Sequence, residues 1–156
     1  METKRRKGIL KKGVYGLIIL LIISQFVPVD RENPESLPEK DFLTMVSAPR
    51  EIAGLVRTAC YDCHSHQTEW PWYSYVTPVK FVVAHHVEEG REHLNFSKWA
   101  EYEQKKRDHK LEECAEEVKE GEMPIFGYDW THAGARLSEA DRQKLVLFFS
   151  AHRMDI

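Results

Sequence analysis

Five consecutive residues, Cys60-Tyr61-Asp62-Cys63-His64, form the most chemically informative stretch of this chain. Two thiols three residues apart, followed at once by an imidazole, match the attachment pattern of c-type haem. Each thiol can add across one vinyl group of a porphyrin as a thioether, and the adjacent imidazole then takes an axial position on iron. The spacing matters because both anchors and the ligand must share one short turn. Two other readings compete. A structural zinc site needs four ligands, and Cys114 is the only other thiol. His64 and His66 could join Cys60 and Cys63, but two ligands so close behind the second cysteine would strain a tetrahedron. A thioredoxin-like dithiol expects a βαβ setting.

An iron held by His64 has a sixth position to fill or to leave open. Met123, in Gly121-Glu122-Met123-Pro124, offers a thioether, a soft ligand that raises the reduction potential. The alternative is that Met123 fills a gap in the core. Met1, Met45 and Met154 are poorly placed for the role. Among His85, His86, His93, His109 and His132, the main rival is His86, which shares the apolar side of a helix. Trp70 and Trp72, in Trp70-Pro71-Trp72-Tyr73, fit either packing on the porphyrin or an ordinary core. Arg57, Lys80 and Arg91 either pair with haem propionates or are solvated charges. Cys114 shares a stripe with Leu111, Ala115 and Val118 and reads as a small buried hydrophobe, so no disulfide is expected.

The elements around these residues set where the chemistry takes place. Lys4, Arg5, Arg6, Lys7, Lys11 and Lys12 stand against Glu2 alone, a net +5 over residues 1–12. An apolar run follows over 13–29, and no small-x-small cleavage site closes it. The pattern favours an uncleaved signal anchor over a removed signal peptide, with the positive arm in the cytoplasm and the rest outside. Haem is attached to c-type proteins on that outer side, which suits an exported Cys-x-x-Cys-His chain. The whole chain is −3, which leaves −8 beyond Lys12 and argues against nucleic acid as a partner. A charged tether with Pro34 and Pro38 spans 30–46 and reads as an extended spacer.

The remainder, 47–156, is about one small domain. Its first helix starts near Pro49, with Ser47 as cap, and carries Ile52, Leu55, Val56 and Ala59 straight into Cys60. A second follows Pro78, with Val79, Val82, Val83, His86 and Val87 on one side, and ends near Gly90. A third runs from Ser97 to Gly121, with a break expected in its charged middle, 103–110. A fourth opens on Ser138-Glu139-Ala140-Asp141, an acidic variant of the capping box. No segment alternates convincingly as a strand, so the fold class is all-α, built around one covalent haem.

Several separated motifs together resemble a small bacterial haem-binding domain family related to cytochrome c. They are the Cys60-to-Ser65 stretch, Trp70-Pro71-Trp72-Tyr73, the stretch beginning His86-Val87-Glu88-Glu89-Gly90-Arg91, Gly121-Glu122-Met123-Pro124 and Leu137-Ser138-Glu139-Ala140. The sequence departs from that pattern at Pro124-Ile125, where a second proline would be expected. The resemblance implies covalent haem c on Cys60 and Cys63, His64 as proximal ligand and Met123 as distal ligand. It also implies that the helices before Cys60 and after Ser138 cross. The expected function is one-electron transfer by a periplasm-facing, inner-membrane carrier with a redox protein as partner, not an enzyme. A haem peroxidase or a gas or redox sensor with a displaceable sixth ligand is the alternative, and a structural haem-holding module is another.

Overall fold

In the computed structural model the backbone is described for residues 2–154 and side chains for residues 6–153. Met1 and the side chains of Lys4, Arg5 and Met154 therefore lie outside the described residues. Every regular element among the described residues is helical. The chain forms two compact units: residues 2–32 with Trp70–His86, and Asn33–Glu69 with residues from 87 onward.

The first unit holds α1, Glu2–Gln25, whose stretch Arg6–Gln25 is long and apolar enough to cross a membrane. The side chains from Ile9 to Ile23 are largely exposed, as an apolar helix outside any protein core must be. A 3-10 turn, Trp72–Tyr75, occupies the stretch that is too short for a strand.

The second unit contains α2 (Phe42–Met45), α3 (Arg50–Val56) and α4 (Asp62–His64), then α6 (Gln104–Glu120), α7 (Tyr128–Thr131) and α8 (Glu139–Met154). Helix α5 is Val79–His93; residues 79–86 belong to the first unit and the rest to the second. The core centres on Phe42, fully buried, with Phe96 and Trp99 rings at 5.1 and 4.8 Å and Phe148 and Phe149 near 6 Å. Leu111, Ala115 and Val118 of α6 face Leu145, Phe148 and Phe149 of α8 in the same cluster. Burying such large apolar side chains contributes roughly 1.5–3 kcal/mol each, so this cluster dominates the stability of the unit. Helix α3 also packs on α8, and Lys144 pairs with Glu51 across the contact.

Several local expectations change. Ser47 does not cap α3; it takes φ 50° in the turn that closes α2, and Pro49 precedes the first helical turn. The 30–46 stretch is not a free spacer from Asn33 onward. Asn33, Ser36 and Asp41 hydrogen-bond into the unit, and Asp41 is 1% exposed. Short polar side chains in a stretch without periodicity gave no sign of this. The break falls at Tyr102 and Glu103, both extended, and the charged run is helical from Gln104 on. His109 Nε2 lies 3.1 Å from Glu113 Oε1, and Arg153 pairs with Glu112 of the same helix. On α5, Val79 and Val82 are exposed, because helical spacing marks a stripe without saying what covers it.

The acidic capping box is present as expected. The Ser138 hydroxyl accepts from Asp141 N at 3.1 Å, and Asp141 Oδ2 accepts from Ser138 N at 3.2 Å.

Candidate haem attachment site

Helix α3 does not stop at Val56. It widens into a π-helical turn, Arg57–Tyr61, and runs on as α4 to His64, where Ser65 turns extended. An inserted residue of this kind recurs at functional sites, because it re-aims side chains without ending the helix. Cys60, Cys63 and His64 thus project from one continuous helical segment.

Cys60 and Cys63 are free, half-buried thiols. Burial, helped by the neighbouring Cys63, pushes Cys60 up to about 12. Burial and the Asp62 carboxylate push Cys63 up to about 11, against the pull of Arg91. Both are therefore neutral thiols at neutral pH. A disulfide-exchange catalyst needs the opposite, a lowered thiol pKa, so the thioredoxin-like reading loses its chemical basis.

His64 is held from behind. Its Nδ1 lies 2.8 Å from Gly90 O and 3.2 Å from Leu94 O. Carbonyls only accept, so the proton sits on Nδ1 and the Nε2 lone pair is left free to bind a metal. Burial lowers the pKa of His64, more than these two carbonyls raise it, which favours the neutral ring that ligation needs. An orienting carbonyl on the far nitrogen is a common support for a ligating histidine.

The close approach of α5 depends on Gly90. A Cβ there would stand 2.6 Å from Cys63 O and 3.0 Å from Cys63 Cβ. Only glycine lets the α5 backbone lie on the attachment turn and deliver its carbonyl to His64.

Arg91, expected as a propionate partner or a solvated charge, is a clamp. It donates to Ser65 O at 2.8 Å, Asn33 Oδ1 at 2.7 Å and Thr68 Oγ1 at 2.9 Å. Arg57 donates to Gln67 Oε1. Ser65, fully buried, donates to Tyr61 O and accepts from Gln67 N, which closes the turn behind the motif. The two variable positions of the motif are both occupied. Tyr61 stacks on Phe96 at 5.3 Å and donates to buried Asp41. Asp62 accepts from Glu69 N at 2.8 Å and from the Tyr128 hydroxyl at 2.6 Å. Sequence reading missed Tyr61, Asp62, Ser65, Asp41 and Tyr128. Their roles come from partners far along the chain, and no local pattern announces them.

Met123 lies in a loop, as expected. Gly121, at φ 83°, ends α6 in the left-handed conformation that glycine tolerates best. Met123 N donates to Glu117 O, and Met123 O accepts from Arg142 Nη1 at 2.9 Å. Its side chain is half-buried against the core cluster. The loop continues through Tyr128, whose ring stacks on His132 at 4.0 Å, to Gly134 O, which accepts from Thr58 Oγ1. Cys114 is half-buried on the expected stripe, and burial raises its thiol pKa.

His86 and His93 are exposed. Trp70, Trp72, Lys80 and His86 belong to the first unit. Trp72 is 78% exposed, and the Lys80 amine is occupied by Gln25 O and Val27 O, each at 2.7 Å. Among the described residues, no group of three or more His, Cys, Asp or Glu could hold a metal ion alone. A metal at His64 would have to bring most of its own ligands, as porphyrin iron does.

A helical unit that presents one free imidazole nitrogen beside two neutral thiols fits a protein that holds a prosthetic group on a single turn. The haem-binding domain family model matches residues 19–151, which include this whole site, and the chain belongs to that family. No curated protein and no solved structure matches the chain.

Proposed function

We propose that the chain is a membrane-anchored, mono-haem c-type protein that transfers single electrons at the periplasmic face of a bacterial inner membrane. The observation that carries the reading is the state of His64: Nδ1 sits between two carbonyls and Nε2 is free, next to two unpaired thiols. Bound haem iron would supply the one-electron couple, with a potential set by its axial ligands. Cys60 and Cys63 would fix the porphyrin, His64 would hold the iron, and Met123 would provide the sixth ligand.

Anchoring rests on the apolar α1 and the basic arm before it. The acidic remainder of the chain suits a basic redox protein as partner and disfavours nucleic acid. With an occupied sixth position the chain would serve as a carrier without a substrate of its own.

The test is expression with and without a c-type maturation system, followed by acid–solvent extraction and an alkaline pyridine spectrum. One haem per chain that resists extraction is expected, and haem that extracts cleanly from matured protein overturns covalent attachment. Met123→Ala should open the reduced protein to carbon monoxide, and Met123→His should lower the potential. Unchanged spectrum, potential and ligand binding in Met123→Ala would make Met123 a packing residue.

A further inference from the structure

The first unit carries an exposed apolar and aromatic surface. We infer that the segment Trp70–His86 lies in the outer lipid headgroup layer and seats the protein on the membrane surface where α1 leaves it. This rests on the reading of α1 as a membrane-spanning anchor.

The segment is tied to the end of α1 by hydrogen bonds. Gln25, the last residue of that helix, donates from Nε2 to Tyr75 O at 2.7 Å and accepts at Oε1 from Thr77 N at 2.9 Å. Lys80, 3% exposed, donates its amine to Gln25 O and Val27 O. A buried lysine amine at the C-terminal end of a helix is favourable, both as hydrogen-bond donor to the end carbonyl and against the helix dipole. Arg31 adds a further tie, lying over the Tyr75 ring at 4.4 Å and donating to Ser74 O. Whatever depth Gln25 takes at the membrane, this segment is held beside it.

The surface presented there is apolar and aromatic. Phe26 is 83% exposed and Trp72 78%, with Tyr75, Val76, Val79 and Val82 each between 41% and 52%. The seventeen residues of the segment contain one formal charge, Lys80, in a chain that is 30% charged. That single charge is already turned inward. Val79 and Val82 stand three apart on α5 and so share a face. Tryptophan and tyrosine collect at membrane interfaces, where one end of the ring is dry and the other wet. The absence of exposed formal charge marks this face as one that water alone does not cover well.

The test uses the full chain reconstituted into vesicles of phosphatidylcholine and phosphatidylglycerol. Val82→Cys and Trp72→Cys are labelled with a charged maleimide that does not enter bilayers, and Leu147→Cys, on an exposed position of α8, is the water-facing reference. The unsubstituted chain gives the background from the native thiols, and a carbonate wash reports separately whether α1 is inserted. Retention after carbonate is expected, with Val82→Cys and Trp72→Cys labelled at least about tenfold more slowly than Leu147→Cys, as for side chains sunk into the headgroup boundary. Retention with equal labelling rates overturns this inference and leaves the anchor intact. Extraction by carbonate overturns the anchor and this inference together. Protection that appears only at high protein-to-lipid ratio would assign the face to a second copy of the chain and also overturn it.

Discussion

The two sides of the attachment segment are built differently. Behind it, α5 backbone lies in contact with Cys63, two carbonyls grip His64, and Arg91 and buried Ser65 close the turn with hydrogen bonds. Ahead of it, the loop over 121–135 is held mainly by polar side chains: Tyr128 on Asp62, Thr58 on Gly134, Arg142 on Met123 O. Phe126 and Trp130 in that loop are 90% and 70% exposed. Packed backbone leaves no slack, whereas polar ties on a half-exposed loop can break one at a time. The His64 side is therefore built rigidly into the fold, and the loop that carries Met123 is where the protein retains freedom.

The sharpest way to break this contrast is Gly90→Ala. The new methyl would overlap Cys63 O, so either α5 or the attachment turn must move. Overpacking of this kind costs about 1–3 kcal/mol, and the yield of covalently loaded protein should fall severely. Thermal unfolding by circular dichroism and haem per chain both report it; normal values would show that the contact is slack.

Tyr128→Phe probes the other side. It removes a hydrogen bond to a carboxylate, worth about 1.5–3 kcal/mol when fully buried and less on this part-exposed pair. The expected result is faster proteolytic cleavage within 121–135 with covalent haem yield unchanged. Equal cleavage rates would mean that Thr58 and Arg142 hold the loop without it.

Ser138→Ala should cost about 1 kcal/mol, the usual value of an N-cap, with no effect on either side of the site. The same box has a pH signature. Ser138, through its hydroxyl and its N–H, holds Asp141 below its ordinary value of 3.8. Stability from that carboxylate is present above pH 3.8 and fades as pH falls through the lowered value. Acid titration of unfolding should show this limb weakened in Ser138→Ala, and an identical acid limb would refute the coupling.

The smallest effect belongs to Cys114→Ser. Covalent haem content should be unchanged, because Cys114 is packed on the α6 stripe outside the motif. A fall in haem per chain would mean that the third thiol takes part in attachment.

The sequence by itself determined what depends on neighbours along the chain. The helical class, the capping box at Ser138, the loop position of Met123 and the Cys-x-x-Cys-His turn follow from spacings of three or four residues, which one helical turn brings together. Tertiary structure decided what depends on distant partners. Gly90 reads as a helix end in the sequence, yet the helix runs on to His93 and uses Gly90 as its point of contact with Cys63. Arg91 reads as a propionate partner or a solvated charge and is a clamp; Trp72 reads as porphyrin packing or ordinary core and is an exposed ring of the first unit. A one-dimensional pattern records which face a residue is on and leaves open what meets that face. The proton on His64 Nδ1 follows from two carbonyls twenty-six and thirty residues away, and only the folded chain places them there.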